Sequence, residues 1–503
     1  MTRREFLKGT GTALAAGPFL RFSGKPFAAQ EDQRPNILLF IGDDLRPEFG
    51  CYDVAAVKTP NIDQLARQSM VFTRAYCPMS ICNPSRLGLL TGRRPDTLRI
   101  WDNNVHFRRI HPQLTTLPQW FKDHGYECAK IGKVFHDTFP DPKSWSRPET
   151  QIPVKNIYMA EDTQARQKKR QDMALRSGMS QAWINAYLRG PATEAFDAPD
   201  ASYWDGMAAD AAIALLQELG RDKPFFLAIG FMKPHLPYVA PKRYWDLYDR
   251  DKIPMAKNNF LPKNTPRMAI NSLTELACYE DFVRVPSPLE GRIEPAKARL
   301  LKHGYYACVS FIDAQIGRIM NALTDLKLRE NTIVVLVGDH GYKLGEHGSW
   351  GKMTNFEVDT RSPLIISAPG LESGRGRTNA LAEFPDVFPT LCELAGLPPT
   401  PYLEGTSLVP LFKNPGQPWK TAAFSQYARG FTYRFMGRAL RTDRYRYIEW
   451  RERFDDHLEI AELYDHVSDP QEDVNIAGEP AQKELIQRLS AQLKAGWRAA
   501  VPK

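Results

Sequence analysis

Cysteine is scarce and scattered in this 503-residue chain: seven residues, at positions 51, 77, 82, 128, 278, 308 and 392, with no C-x-x-C spacing. That excludes a cysteine-based zinc site and a disulfide-stapled scaffold as the organising principle, and leaves pairing among individual cysteines open. Long apolar runs are also missing once the N-terminus is set aside, so no segment has the length to cross a bilayer as a helix. No nucleic-acid-binding motif is present, and the formal charge of +8 is a small excess of 66 basic over 58 acidic residues. What remains is an ordinary globular composition, 43% hydrophobic and 25% charged. The length suits one large α/β domain and a smaller one.

The N-terminus, Thr2-Arg3-Arg4-Glu5-Phe6-Leu7-Lys8, is followed by a moderately apolar stretch from Gly9 to Leu20 and by Ala28-Ala29. It resembles a bacterial twin-arginine export signal, with a basic helical tail as the plain alternative. A leader over 1–29 implies a periplasmic or secreted protein. Its removal takes away five basic residues (Arg3, Arg4, Lys8, Arg21, Lys25) and one acid (Glu5), which lowers the net charge from +8 to +4. The mild positive balance suits approach to polyanionic glycans.

Cys82-Asn83-Pro84-Ser85-Arg86 and then Leu-Gly-Leu-Leu-Thr91-Gly92-Arg93-Arg94 is the densest chemical signal. Pro84 suits the first turn of a helix, since its missing N–H and fixed φ cost nothing there. Cys82 then lies just before the helix, where the positive end of the dipole favours an anion. Arg86 is one turn on, able to point back at the same spot. A nucleophile, a helix N-terminus and an arginine make a site for a tetrahedral oxyanion; a buried structural cysteine is the alternative.

Four apolar runs stop at polar clusters. Asn36–Ile41 leads to Gly42-Asp43-Asp44, Cys128–Ile131 to Gly132-Lys133-Val134-Phe135-His136, Pro224–Gly230 to Phe231-Met232-Lys233-Pro234-His235, and Thr332–Val337 to Gly338-Asp339-His340-Gly341. Such runs read as strands buried on both faces of a parallel sheet. Helical patterns lie between them at Leu65–Met70, Leu117–Asp123, Met207–Leu219 and Ala298–Leu326. In open α/β sheets ligands bind beyond the carboxyl ends of the strands, so four strand ends converge on one site. Residues from about 145 to 200 read as an insertion over that edge, and Pro-rich text at Leu397–Tyr402 as a linker. Beyond it, three alternating segments read as antiparallel strands, Glu462–Asp465 as turn-rich, and Ala481–Trp497 as a last helix.

The C-x-P-S-R string followed by T-G-R resembles the signature of the type I sulfatases. With Asp43-Asp44-Leu45-Arg46-Pro47, Thr59–Ala66, Gly132–His136, Lys233-Pro234-His235, Asp339-His340-Gly341, Gly345-Glu346-His347-Gly348 and Lys352, the resemblance is closest to the iduronate-2-sulfatase branch. It covers the chain from about Arg34 to the C-terminal helix. It implies an α/β fold of the alkaline-phosphatase type: a large, mixed, mostly parallel sheet sandwiched by helices over 30–400. A smaller C-terminal subdomain over 401–503 is implied as well, with a four-stranded antiparallel sheet and a helix.

The family implies that Cys82 is oxidised to formylglycine, an aldehyde whose hydrate attacks a sulfate ester. The partner this needs is a formylglycine-generating or anaerobic sulfatase-maturating enzyme. Asp43, Asp44, Asp339, His340 and the modified Cys82 carry over as metal ligands. Three carboxylates suit Ca²⁺ ahead of Mg²⁺, although an imidazole ligand also suits transition metals. Arg86 and Lys133 carry over as holders of the nucleophile, His136 as the base for the hydrate, and His235 and Lys352 as contacts to the bridging oxygen and sulfate, with His235 the general acid. Asp96 and Thr97 are candidates for the sugar pocket. His347 is a candidate for substrate binding or for ordering its loop. The branch implies a sulfated saccharide carrying a 2-O-sulfated uronic acid, and hence an extra cation, for which Lys343 and Arg93 are candidates. The competing readings are a phosphonate or phosphate ester hydrolase on the same scaffold, and a non-catalytic sulfated-glycan binder if Cys82 is unconverted.

Overall fold

Runs of aliphatic and aromatic residues bounded by glycine and polar groups form the central sheet. The structure, a computed structural model, describes residues 34–502 apart from 137–138, 154–155 and 372–373, so the expected leader lies outside the described residues. Seven strands make the main sheet: β1 (Asn36–Gly42), β2 (Met70–Tyr76), β3 (Glu127–Gly132), β4 (Phe225–Phe231), β5 (Thr332–Gly338), β6 (Arg361–Ser367) and β7 (Gly376–Glu383), in the order β7-β2-β6-β5-β1-β4-β3. The four strands expected from the sequence are adjacent and parallel. Only β6 runs against both of its neighbours.

Both faces of the sheet are covered, which is why its strands are apolar throughout rather than alternating. Leu38, Phe40, Leu227 and Ile229 face one core, shared with helix α4 (Pro295–Asp325) and helix α3 (Trp204–Leu216). Ile37, Leu39, Ile41 and Val335 face the other, shared with α2 (Cys82–Thr91). Register then aligns the strand ends. Gly42 pairs with Phe231 on one side and Gly338 on the other, and Gly132 pairs with Gly230. Residues that follow these positions must therefore leave the sheet at one level.

A second sheet of four antiparallel strands, β8 (Ala423–Arg429), β9 (Phe435–Arg441), β10 (Tyr445–Glu452) and β11 (Leu458–Asp465), carries the helix α5 (Lys483–Ala495). Several boundaries differ from the sequence reading. The helix expected over Leu65–Met70 is α1 (Pro60–Arg67), started by a proline at its first position, and Met70 already opens β2. Glu462–Asp465, expected as turn, is the buried second half of β11, where Leu463 and Tyr464 pack inward. The last helix is shorter than expected because Gly496, at φ 72°, stops it. All seven cysteines are free, and no helix among the described residues is long and apolar enough to cross a membrane.

Candidate active site

The helix α2 starts at Cys82 itself, one residue earlier than the sequence suggests, after an extended Ile81 that contributes no side-chain cap. Every residue of α2 is buried. The Cys82 thiol therefore sits at the positive end of a helix dipole, 3.4 Å from His340 Nε2 and 3.6 Å from Asp43 Oδ1. Burial raises its pKa well above the ordinary thiol value, and Asp43 and Asp339 raise it further against Lys352 and Lys133. The encoded thiol is held protonated, the opposite of what a thiolate nucleophile requires.

The aligned strand ends deliver the acids. Asp43 and Asp339 follow β1 and β5, and the Asp44 backbone, at φ 61°, turns so that its N–H donates to Asp339 Oδ1 at 3.0 Å. Close approach of the chains requires glycine here: a Cβ on Gly338 would lie 2.0 Å from the Leu45 carbonyl oxygen, and one on Gly230 would lie 1.9 Å from that of Lys133. His340 donates Nδ1–H to the Gly341 carbonyl at 2.9 Å, which leaves the Nε2 lone pair facing Asp44 Oδ1 and Asp339 Oδ1 at 3.5 and 3.6 Å.

Cations press on these acids from two sides. Arg86 pairs with Asp43 Oδ1 at 3.1 Å and Asp339 Oδ2 at 3.0 Å, and Lys133 donates to Asp43 Oδ2 at 2.5 Å. Lys352 donates to Asp44 Oδ1 at 2.6 Å. Burial opposes ionisation of Asp43, yet Lys133, His235, Arg86 and Lys352 together hold its carboxyl well below the usual range. One acceptor is left over: Asp44 Oδ2 is buried without a hydrogen-bond partner. Ligand atoms of Asp44, Cys82 and His340, and of Asp43, Cys82 and Asp339, gather within 4.8 Å of one another. A hard, carboxylate-rich donor set with one orphaned oxygen fits a divalent cation.

Two histidines differ in protonation. His235 Nδ1–H donates to the Leu236 carbonyl at 2.6 Å, while Nε2 faces Glu275 Oε1 at 3.0 Å. Both ring nitrogens thus meet acceptors. Burial works against the charged form, but Glu275 leads the terms that raise the pKa above the ordinary histidine value. His136 is the reverse: burial first, then Lys133 and Arg86, push it down to about 4. The two imidazoles are thus displaced in opposite directions, one upward by Glu275 and one downward by burial and its cationic neighbours.

Comparison with known proteins decides what this geometry belongs to. The family described as Sulfatase matches residues 35–397, and the one described as N-sulphoglucosamine sulphohydrolase, C-terminal, matches residues 345–498. The chain belongs to the sulfatase family. It is 35% identical to the iduronate 2-sulfatase of Mus musculus, over 90% of this chain and 93% of the relative. It is 32% identical to a sulfatase of Formosa agariphila, over 95% and 90% of the two chains. In fold it resembles the phosphonate monoester hydrolase of Agrobacterium radiobacter, with a TM-score of 0.69, 23% identity, and 93% and 96% of the two chains covered.

Within this sulfatase, Asp43, Asp44, Cys82, Arg86, Lys133, Asp339, His340 and Lys352 are linked by direct contacts, and His136 and His235 lie within their electrostatic reach. Other expected residues are held elsewhere. Asp96 accepts from Gln426, Trp101 and Arg438 where the second sheet docks, and Thr97 donates to Glu404 at 2.6 Å. His347 donates to the Gln471 carbonyl at 2.9 Å and packs on Phe356. Lys343 is consumed by Asp359 and Thr354. Arg93 lies over the Tyr402 ring beyond the far end of α2, about 15 Å of helix from Cys82.

Sequence reasoning missed three supporting residues of the sulfatase. Glu275 faces both His235 and Lys352 Nζ, the latter at 3.5 Å, from a loop with no motif around it. Asp205, at the start of α3, accepts from the Met232 N–H at 2.6 Å and is pushed up to about 6, chiefly by burial. Lys233 donates to the carbonyls of His235 and Pro237, fastening the loop that carries His235. Only Lys233 had a signal in the sequence, its place in the Lys-Pro-His string.

Proposed function

We propose that this sulfatase removes the 2-O-sulfate of a uronic acid in a sulfated saccharide, using formylglycine made from Cys82 and a divalent metal, calcium ahead of magnesium. The carrying observation is the position of Cys82, a thiol kept protonated at a helix N-terminus beside three carboxylates and the Nε2 of His340, which faces them. Identity of 35% with an iduronate 2-sulfatase over most of both chains supports the saccharide class. Asp43, Asp44, Asp339, His340 and the modified Cys82 would hold the metal. When present, formylglycine supplies a hydrated hydroxyl as nucleophile, and the metal supplies Lewis-acid polarisation of the sulfate.

The chain's own residues do the rest. Arg86 and Lys133 offset the charge of the acid cluster and keep it compact around the nucleophile. Lys352 and His235 approach from the opposite side, where a sulfate oxygen and the departing sugar oxygen need donors. His235 holds a proton at Nε2 for that oxygen. His136, neutral above about pH 4, takes the proton released on the nucleophile's side. The leader-like segment supports export by the twin-arginine route to the periplasm or beyond, with Cys82 converted by a formylglycine-generating or anaerobic maturating enzyme.

Mass spectrometry of active protein tests the nucleophile. The tryptic peptide ending at Arg86 should lose one sulfur and two hydrogens and gain one oxygen. Fully active protein carrying only unmodified cysteine overturns the reading. The fold shared with a phosphonate monoester hydrolase favours one alternative, ester hydrolysis at phosphorus. Turnover of an aryl sulfate against an aryl phosphonate separates the two, with sulfate expected to be faster.

A further inference from the structure

Cations around the acid cluster already face carboxylates: Lys133 has Asp43, Lys352 has Asp44 and Glu275, His235 has Glu275, and Lys343 has Asp359. Arg429 does not. It ends β8, the first strand of the second sheet, and its guanidinium meets carbonyls, a phenol and an indole ring but, among the described residues, no carboxylate: Nε donates to Met268 at 2.8 Å, Nη2 to Met353 and Nη1 to Ala428 at a long 3.4 Å, Tyr427 offers a side-chain hydrogen bond, and the Trp450 ring lies 5.9 Å away. Its guanidinium carbon lies 4.5 Å from the centre of the Tyr427 ring. Burial pushes its pKa down; Tyr427 opposes this first, and the acids that add to it, Asp359 and Glu462, make no ion pair with it. Both are committed elsewhere, Asp359 to Lys343 and Glu462 to Trp450 and Tyr464.

A guanidinium with no carboxylate in ion-pair reach keeps an unneutralised charge in a partly desolvated place. Its location is specific. Met353 directly follows Lys352, and Met353 shares an apolar cluster with Tyr427, Ala428 and Ile81, the residue before Cys82. Arg429 thus reaches from the second sheet to the carbonyl of the residue that follows the lysine facing the acid cluster. In a 2-O-sulfated uronic acid, the sulfate on C2 and the carboxylate on C5 lie opposite one another across the ring. With sulfate beside Cys82 and Lys352, a second anion is due one sugar width away. Arginine's planar fork matches a carboxylate bidentately, and a lysine's point charge does not.

We propose that Arg429 binds the uronate carboxylate and so determines substrate specificity, the cation that Lys343 and Arg93 were expected to provide. The inference rests on the uronic-acid reading above. The test compares converted wild-type enzyme with Arg429→Lys and Arg429→Met on a 2-O-sulfated uronic acid and on its carboxyl-reduced counterpart, reading the ratio of the two kcat/KM values. Wild type should prefer the uronate, and Arg429→Met should cut that preference by about 10-fold or more, mostly through KM, with Arg429→Lys in between. A variant that merely folds poorly lowers both rates and keeps the ratio. A wild-type preference that survives intact in both variants overturns the role of Arg429. A wild type with no preference for the carboxylate overturns the uronic-acid reading itself, and with it this inference.

Discussion

Two buried charge clusters in this sulfatase look alike by composition and differ in one respect. At the seam between the sheets, Arg446 pairs with Glu357 and, at 2.6 Å, with Glu472, Arg441 pairs with Glu357 at 3.1 Å, and His466 with Glu472 at 2.9 Å. The arginines fill the space between the acids. Burial opposes ionisation of Glu357, but Arg441, Arg446 and His466 hold its carboxyl well below the usual range. At the strand ends Arg86 likewise bridges two acids, Asp43 and Asp339, but Asp44 Oδ2 is left without a hydrogen-bond partner among the described residues, with His235 Nε2 4.0 Å away. The seam cluster also groups carboxylates and an imidazole at ligand spacing, yet its centre is already occupied by guanidinium. The difference is one buried carboxylate oxygen that no hydrogen-bond donor reaches, an opening for a cation.

The sharpest way to break this comparison is to remove the nucleophile. Cys82→Ala is expected to abolish sulfate ester turnover, a loss of about 10⁴-fold or more in kcat. Activity retained at a tenth of wild type would remove the strand-end cluster from catalysis. Chelation comes next. With three carboxylates converging, loss of a bound ion should abolish activity and lower the melting temperature by several degrees, and calcium should restore both. The seam cluster should be indifferent to chelator. Unchanged activity and melting in thoroughly metal-depleted protein would count against the open acceptor as a metal site.

His235→Ala sharpens the roles within the site. A sugar alkoxide leaves poorly without a proton, whereas a nitrophenolate leaves easily. The variant should therefore lose about 10²–10⁴-fold more on a sulfated saccharide than on nitrophenyl sulfate. Equal losses on both would make His235 a sulfate-positioning group and leave Lys352 as the candidate acid. Removing a charge from the closed network should do something different. Arg446→Met should cost about 3–5 kcal/mol of stability in denaturant unfolding, by removing the guanidinium that Glu357 and Glu472 share and leaving them only Arg441 and His466, without a comparable fall in kcat.

The smallest expected effect is on pH dependence. Activity should rise as pH increases through about 4, where His136 loses its proton, and fall at higher pH as His235 loses the proton it donates. Glu275 raises the His235 pKa, so Glu275→Gln should move the alkaline limb to lower pH and leave the acid limb in place. An alkaline limb that does not move would mean the histidine is not the group titrating there.

How much of this was legible in the chain follows from how each residue reaches the site. Asp43, Lys133, His235 and Asp339 follow apolar runs directly, so their convergence needed only parallel pairing in register. Cys82 and Arg86 are one turn apart on a helix, a relation set by local geometry. The reversed strand β6 was not visible, because an apolar run has no direction in its composition. Glu275 and Arg429 come from segments far along the chain with no periodicity or motif of their own. Asp96, Lys343 and Arg93 show the converse, carrying suitable chemistry in suggestive strings while being drawn to Arg438, Asp359 and Tyr402.

The sequence by itself determined the sheet, its buried strands and the polar groups at their ends, because hydrophobic periodicity and short-range spacing act locally. Only the tertiary structure decided which charges are closed and which remain open. The guanidinium that fills the seam, the glutamate behind His235 and Arg429, bonded to the residue after Lys352 with no carboxylate of its own, are all matters of what lies within a few ångströms across long sequence separations. Electrostatic energy depends on that distance and on burial, and neither is written in the order of the residues.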